Sequence, residues 1–64
     1  MLDITKLNKL SKEKRLSLSQ IERITGISNQ YLSNLWTGKM TNPSISKAKK
    51  IADVLEVTID DLLK

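Results

Sequence analysis

The sequence predicts an all-α domain of five short helices. Three observations carry that reading. No stretch alternates apolar and polar residues with period two, and apolar residues recur instead at helical spacings. Each apolar stretch also follows a residue able to cap a helix: Asp3, Ser17, Ser28, Ser44 or Thr58. With 64 residues, no repeats and no low-complexity segment, the chain is read as a single domain, 1–64. Domains of this size bury only about 60% of their unfolded surface, so the helices must share one small core.

In chain order, Asp3 caps a first helix running to about Lys14, with Ile4, Leu7 and Leu10 on one face and Ser11 in the same arc. Its other face carries Lys6, Lys9, Lys12, Glu13 and Lys14, the composition of a solvated surface. Ser17 opens a second helix, and Gln20 three residues later completes an S-x-x-Q capping box. Leu18, Ile21 and Ile24 are its expected buried stripe, and Gly26 ends it.

Ser28 then caps a third helix, expected over 28–37, with Gly38 supplying the left-handed residue that closes it. Few residues separate the second and third helices, which forces a sharp turn and makes 17–38 a helix-turn-helix unit. On the third helix Leu32, Leu35 and Trp36 share one arc; Gln30, Ser33, Asn34 and Thr37 share the opposite arc, with Asn29 on its flank. That outer face carries amides and hydroxyls but no charge. Solvated faces normally collect Lys and Glu, whereas side-chain amides can pair with the donor and acceptor edge of adenine in a major groove. It reads as a recognition helix.

Pro43 and the N-cap Ser44 begin a fourth helix, whose buried face is expected to hold Ile45, Ala48, Ile51, Ala52 and Leu55. Near its start Lys47 is the lysine best placed to approach a phosphate. Thr58 caps a last helix with Asp60 and Asp61 in its first turn, where the helix dipole favours negative charge. Ile59, Leu62 and Leu63 are its apolar residues.

Charge is polarised along the chain. Residues 1–50 hold ten Lys and Arg against Asp3, Glu13 and Glu22, a net of +7; residues 51–64 hold Lys64 against Asp53, Glu56, Asp60 and Asp61, a net of −3. A basic body suits a polyanion, because neutralising phosphates releases condensed counterions. With no Cys or His, neither a disulfide framework nor a zinc site is expected. No cofactor or small-molecule ligand is suggested, and no acidic pair falls in a plausible pocket, so an enzyme is not expected. No apolar run approaches the roughly 20 residues of a membrane span, and MLDITKLNKL lacks the apolar core of a signal peptide, so a cytoplasmic location is expected.

From Leu7 to Leu63 the sequence resembles the Cro/CI, or xenobiotic-response-element, helix-turn-helix repressors, and within them the Sin-type repressors. The resemblance lies in S-L-S before the second helix, Y-L-S in the third, T-N-P-S-I after it and the ending L-x-V-T-x-D-x-L-L. It implies a five-helix, lambda-repressor-like DNA-binding domain. It also implies that Asn29, Gln30, Ser33 and Asn34 face base edges, and that Ser17, Ser28, Thr37, Lys39, Thr41 and Asn42 lie near backbone phosphates. The departures are informative. Leu18 stands where many relatives carry a phosphate-clamping glutamine, Glu22 where a small alanine is usual, and Thr25 where an apolar residue is usual. The family's common Arg of the first helix and Glu of the third fall on Ser11 and Trp36, so the indole is expected to be buried beside Ser11 in place of an ion pair.

The function expected is sequence-specific binding of double-stranded DNA by a transcriptional repressor, acting as a homodimer on an inverted repeat, with residues 57–63 as candidate interface. The alternative is a protein-interaction module, an antitoxin or an antagonist of a regulator, in which DNA binding is secondary.

Overall fold

The computed structural model describes residues 2–63. It contains α1 (Ile4–Glu13), α2 (Leu18–Thr25), α3 (Asn29–Trp36), α4 (Ile45–Leu55) and α5 (Ile59–Leu62). Every expected N-cap is in place. The side chains of Asp3, Ser17, Ser28, Ser44 and Thr58 each accept a hydrogen bond from the backbone N–H three residues on. Each such bond satisfies a donor that the helix itself leaves free. Ser17 with Gln20 and Thr58 with Asp61 form reciprocal capping boxes. In the second, the Thr58 backbone N–H and then its hydroxyl hold the Asp61 carboxyl below its ordinary value. Gly26 and Gly38 adopt left-handed φ of 76° and 84°, at the ends of α2 and α3.

All five helices contribute to one core. Leu7 of α1, Ile21 of α2, Leu32 and Leu35 of α3, Ile51 and Leu55 of α4 and Leu62 of α5 are fully buried. Burying a side chain of this kind contributes about 1.5–3 kcal/mol, so seven of them are the main opposition to the chain's conformational entropy. α3 packs on both α1 and α2, and α4 on both α2 and α5, which leaves the outward side of α3 uncovered.

Two expected core residues are on the surface. Ile24 is 62% exposed, because the inward face of α2 is centred on Leu18, Ile21, Glu22 and Thr25, and Ile24 falls to one side of it. Glu22 and Thr25 tolerate that position through hydrogen bonds. Ile45 is 81% exposed. It has the right angular position on α4, but it is the first helical residue and its Cα–Cβ bond tilts toward the helix start, beyond the layer that covers Ala48.

The first described residues close the other end of the molecule. The Leu2 N–H donates to Thr41 O at 3.2 Å and the Asp3 N–H to Leu62 O at 2.8 Å, with Leu2 buried between them. Among the described residues the one extended pairing is the antiparallel bridge between Leu2 and Leu63. Leu62 is thereby committed to the chain's own core, while Val57 and Ile59 are half-buried against it. Less of 57–63 is spare for a partner than its composition implies.

Candidate nucleic-acid interface

The candidate interface is built on α3, and its local sequence explains how that helix is held. At its start the Ser28 hydroxyl accepts from the Tyr31 N–H at 3.2 Å, and the Glu22 carboxylate accepts from the Asn29 N–H at 3.0 Å. Glu22, the departure from a small residue, thus reaches across the turn and caps α3 from α2. Thr25 does similar work within the turn. Its hydroxyl donates to Ile21 O at 2.7 Å and accepts from the Ile27 N–H at 3.1 Å, which satisfies two backbone groups while Ile27 is buried.

The far end of α3 is fastened to α1. Trp36 is 8% exposed, as its expected place beside Ser11 requires, and its indole Nε1 donates to the Ser11 hydroxyl at 3.1 Å. Ser11 passes the bond on to Asn8 O at 3.1 Å. The contact is therefore polar as well as bulky: a neutral hydrogen bond occupies the position of the family's ion pair, without two charges to desolvate. Asn8, which the sequence did not single out, donates its amide to Trp36 O at 3.1 Å and to Ile4 O at 2.9 Å. It satisfies a carbonyl at the α3 C-terminus that the helix leaves free. Its spacing, four residues after Ile4 and three before Ser11, sets it at the edge of the buried arc, and that was the signal for it.

Between these two ends the outer face presents the expected residues. Asn29 and Gln30 are exposed, while Ser33 and Asn34 are half-buried. Gln30 and Asn34 are brought together, the Gln30 Nε2 donating to Asn34 Oδ1 at 3.3 Å. Ser17 and Ser28 are exposed N-caps whose oxygens already accept backbone bonds, which leaves their hydroxyl hydrogens for a phosphate. Thr37 differs. Its hydroxyl donates to Ser33 O at 2.8 Å, so its hydrogen is already committed.

The loop after α3 is tied back to it by the Met40 N–H donating to Asn34 O at 3.0 Å, which holds the exposed Lys39 beside the helix end. Asn42 is exposed and Thr41 half-buried, its carbonyl taken by Leu2. From α4 the Lys47 ammonium sits 4.3 Å from the centre of the Tyr31 ring. Tyr31 thus packs its ring at the edge of the core and holds a positive charge next to α3, a contact of about 0.5–1 kcal/mol at an exposed site.

A short helix fastened at both ends, uncharged and amide-rich on its free side, and flanked by hydroxyls and lysines defines a helix-turn-helix DNA-binding domain. The Cro/C1-type HTH DNA-binding domain family matches residues 6–64, and the chain belongs to that family. It is 36% identical over 58 residues to the HTH-type transcriptional regulator SinR of Bacillus subtilis (strain 168), a match covering 91% of this chain and 52% of SinR. To the HTH-type transcriptional regulator SlrR of the same organism it is 39% identical over 51 residues, covering 80% of this chain and 34% of SlrR. The chain therefore spans about half the length of the SinR relatives it matches. A crystal structure of SinR, the master regulator for biofilm formation, in complex with DNA superposes with a TM-score of 0.89 at 34% identity, covering 95% of this chain and all of that one. A complex of the SinR protein with the SinI protein gives the same TM-score and identity, covering 100% of this chain and 61% of that one.

Proposed function

We infer that this chain is a sequence-specific DNA-binding transcriptional regulator that lays α3 in the major groove and acts, as a repressor, by occupying its operator. The observation that carries this reading is the uncharged amide face of α3. A helix that served only to attract phosphate would carry Lys and Arg there, since they supply the sequence-independent part of DNA affinity. Amides instead offer a donor beside an acceptor, the pattern that distinguishes one base edge from another. The complex of SinR with DNA supports the same use of the fold. Repression by occupancy needs no chemistry, and the interface has only to hold its place.

One α3 reaches too few base pairs for useful specificity, so two copies act together on an inverted repeat, with half-sites centred roughly 34 Å apart. Asn29, Gln30, Ser33 and Asn34 read bases. Ser17, Ser28, Lys39, Thr41 and Asn42 position the domain on the backbone, and Thr37 does so only by giving up its bond to Ser33. The complex of SinR with SinI makes protein contact a second reading for this fold. The neutral amide face favours DNA.

Selection of bound sites from a random DNA pool tests the reading directly: an enriched palindrome supports it, and recovery of unsorted sequence overturns it. Two variants sharpen the test. Gln30→Ala should cost about 1–3 kcal/mol on the selected operator and little on random DNA. Lys39→Ala should weaken both DNAs alike and lower the salt slope by about one per monomer. Equal losses for Gln30→Ala on operator and random DNA would move the protein-interaction reading ahead.

A further inference from the structure

Gln30 and Asn34 lie one turn apart on the outer face of α3 and are bonded to each other, with Gln30 Nε2 the donor and Asn34 Oδ1 the acceptor. The direction of that bond changes what each amide still offers. An amide has two N–H donors and one carbonyl acceptor. Gln30 spends one N–H and keeps its carbonyl and a second N–H, an adjacent donor and acceptor. Asn34 has its carbonyl partnered and both N–H donors uncommitted, so the balance of what it presents is donor.

We propose that Gln30 and Asn34 read two neighbouring base pairs as one coupled unit, in which Gln30 takes adenine and Asn34 takes an acceptor edge such as guanine O6 and N7. The inference rests on the reading that the outer face of α3 lies in the major groove. Adenine presents N7 as acceptor and N6 as donor, which matches the pair of groups left on Gln30; guanine presents N7 and O6, both acceptors, which matches the two donors left on Asn34. A Gln–Asn hydrogen bond between residues four apart is a stabilising pair on a helix, which keeps the two amides together. At 3.3 Å between side chains that reach solvent, the bond competes with water in the free protein. Exclusion of water in the groove strengthens it, because a hydrogen bond in a low-dielectric site is electrostatically stronger. Two amides that would each choose adenine in isolation are thereby assigned different bases.

The experiment is selection from a random DNA pool with the 64-residue chain and with its Gln30→Ala and Asn34→Asp variants, read as base preference at each position of the half-site. The unaltered chain is expected to enrich an adenine with a guanine at a neighbouring pair, each by about tenfold over the alternatives. Gln30→Ala should relax the adenine position and also the guanine position, where freeing the Asn34 carbonyl raises acceptance of adenine. Asn34→Asp retains an acceptor for Gln30 but loses both donors. It should keep the adenine preference and move the neighbouring position toward cytosine, whose N4 is a donor. Its added charge lowers affinity for every DNA, so preference rather than affinity is the readout. Adenine selected at both positions, or a Gln30→Ala effect confined to one base pair, means that the amides read independently. In that case the coupling fails while the groove reading stands. If the unaltered chain enriches no sequence at all, the groove reading fails and takes the coupling with it.

Discussion

The two ends of α3 are fastened by different means. At the N-terminal end the fastenings are the Ser28 hydroxyl and the Glu22 carboxylate, both on exposed backbone N–H groups. At the C-terminal end they are the Trp36 indole on Ser11, within the core, and the Asn8 amide on Trp36 O, part-buried. A hydrogen bond that breaks in water is replaced by water, whereas one that breaks inside leaves an unsatisfied group and its full desolvation cost. The C-terminal end therefore decides whether α3 stays packed. The N-terminal end, held by bonds that water can replace, can shift at lower cost while the packing stays intact.

The largest expected effect tests the first half of that contrast. Trp36→Ala removes the indole from between α1 and α3 and should cost about 3–5 kcal/mol, the usual range for a buried aromatic truncated to alanine. For a domain of total stability about 5–15 kcal/mol, that approaches unfolding. Urea denaturation of both forms measures it, and a loss below about 1 kcal/mol would mean that the indole is not part of the core. Ser11→Ala comes next. It keeps the volume nearly unchanged but strands the indole N–H, for an expected cost of about 1–3 kcal/mol. A neutral result would show that the serine serves only as space for the indole.

These effects also mark what the sequence could reveal. Caps were legible, because Asp3, Ser17, Ser28, Ser44 and Thr58 act on backbone three residues away and need no knowledge of the fold. Trp36 beside Ser11 was expected because the family resemblance pairs those two positions; its hydrogen bond was not, since it joins residues 25 positions apart in a geometry set by packing. Ile24 and Ile45 were misplaced for a related reason. Apolar spacing identifies a face but not where its centre lies or where the core stops along it, and α2 fills its inward face with the satisfied polar residues Glu22 and Thr25. At the interface, the amide character of α3 was evident from helical periodicity. The Gln30–Asn34 bond and the committed Thr37 hydroxyl depend on rotamers that periodicity does not specify.

Asn8→Ala should have a smaller effect on the same end. It removes the bond to the last carbonyl of α3 without opening a cavity, because Asn8 is exposed, so about 0.5–1.5 kcal/mol is expected. Hydrogen exchange locates the change. Amides of the last turn of α3 and of the loop holding Lys39 should exchange faster while those near Asn29 do not, and uniform acceleration throughout α3 would erase the distinction between the two ends.

The smallest stability effect belongs to Glu22, and it is the one that tests aiming apart from folding. Its carboxylate meets the Asn29 N–H at the start of α3, where a negative charge gains about 0.3–1 kcal/mol from the helix dipole. Glu22→Gln keeps an acceptor in reach and removes the charge, so the stability loss should lie within that range and shrink as salt is added. DNA binding should respond differently. Taking one negative charge from the flank of the interface should raise affinity for random DNA, because phosphate repulsion falls. Glu22→Ala removes the acceptor as well and lets the start of α3 shift. It should lose affinity for the operator while retaining the gain on random DNA, so that the ratio between the two falls further than in Glu22→Gln. Equal ratios in the two variants would mean that the carboxylate contributes charge alone, and that α3 takes its orientation from the buried contacts at its other end.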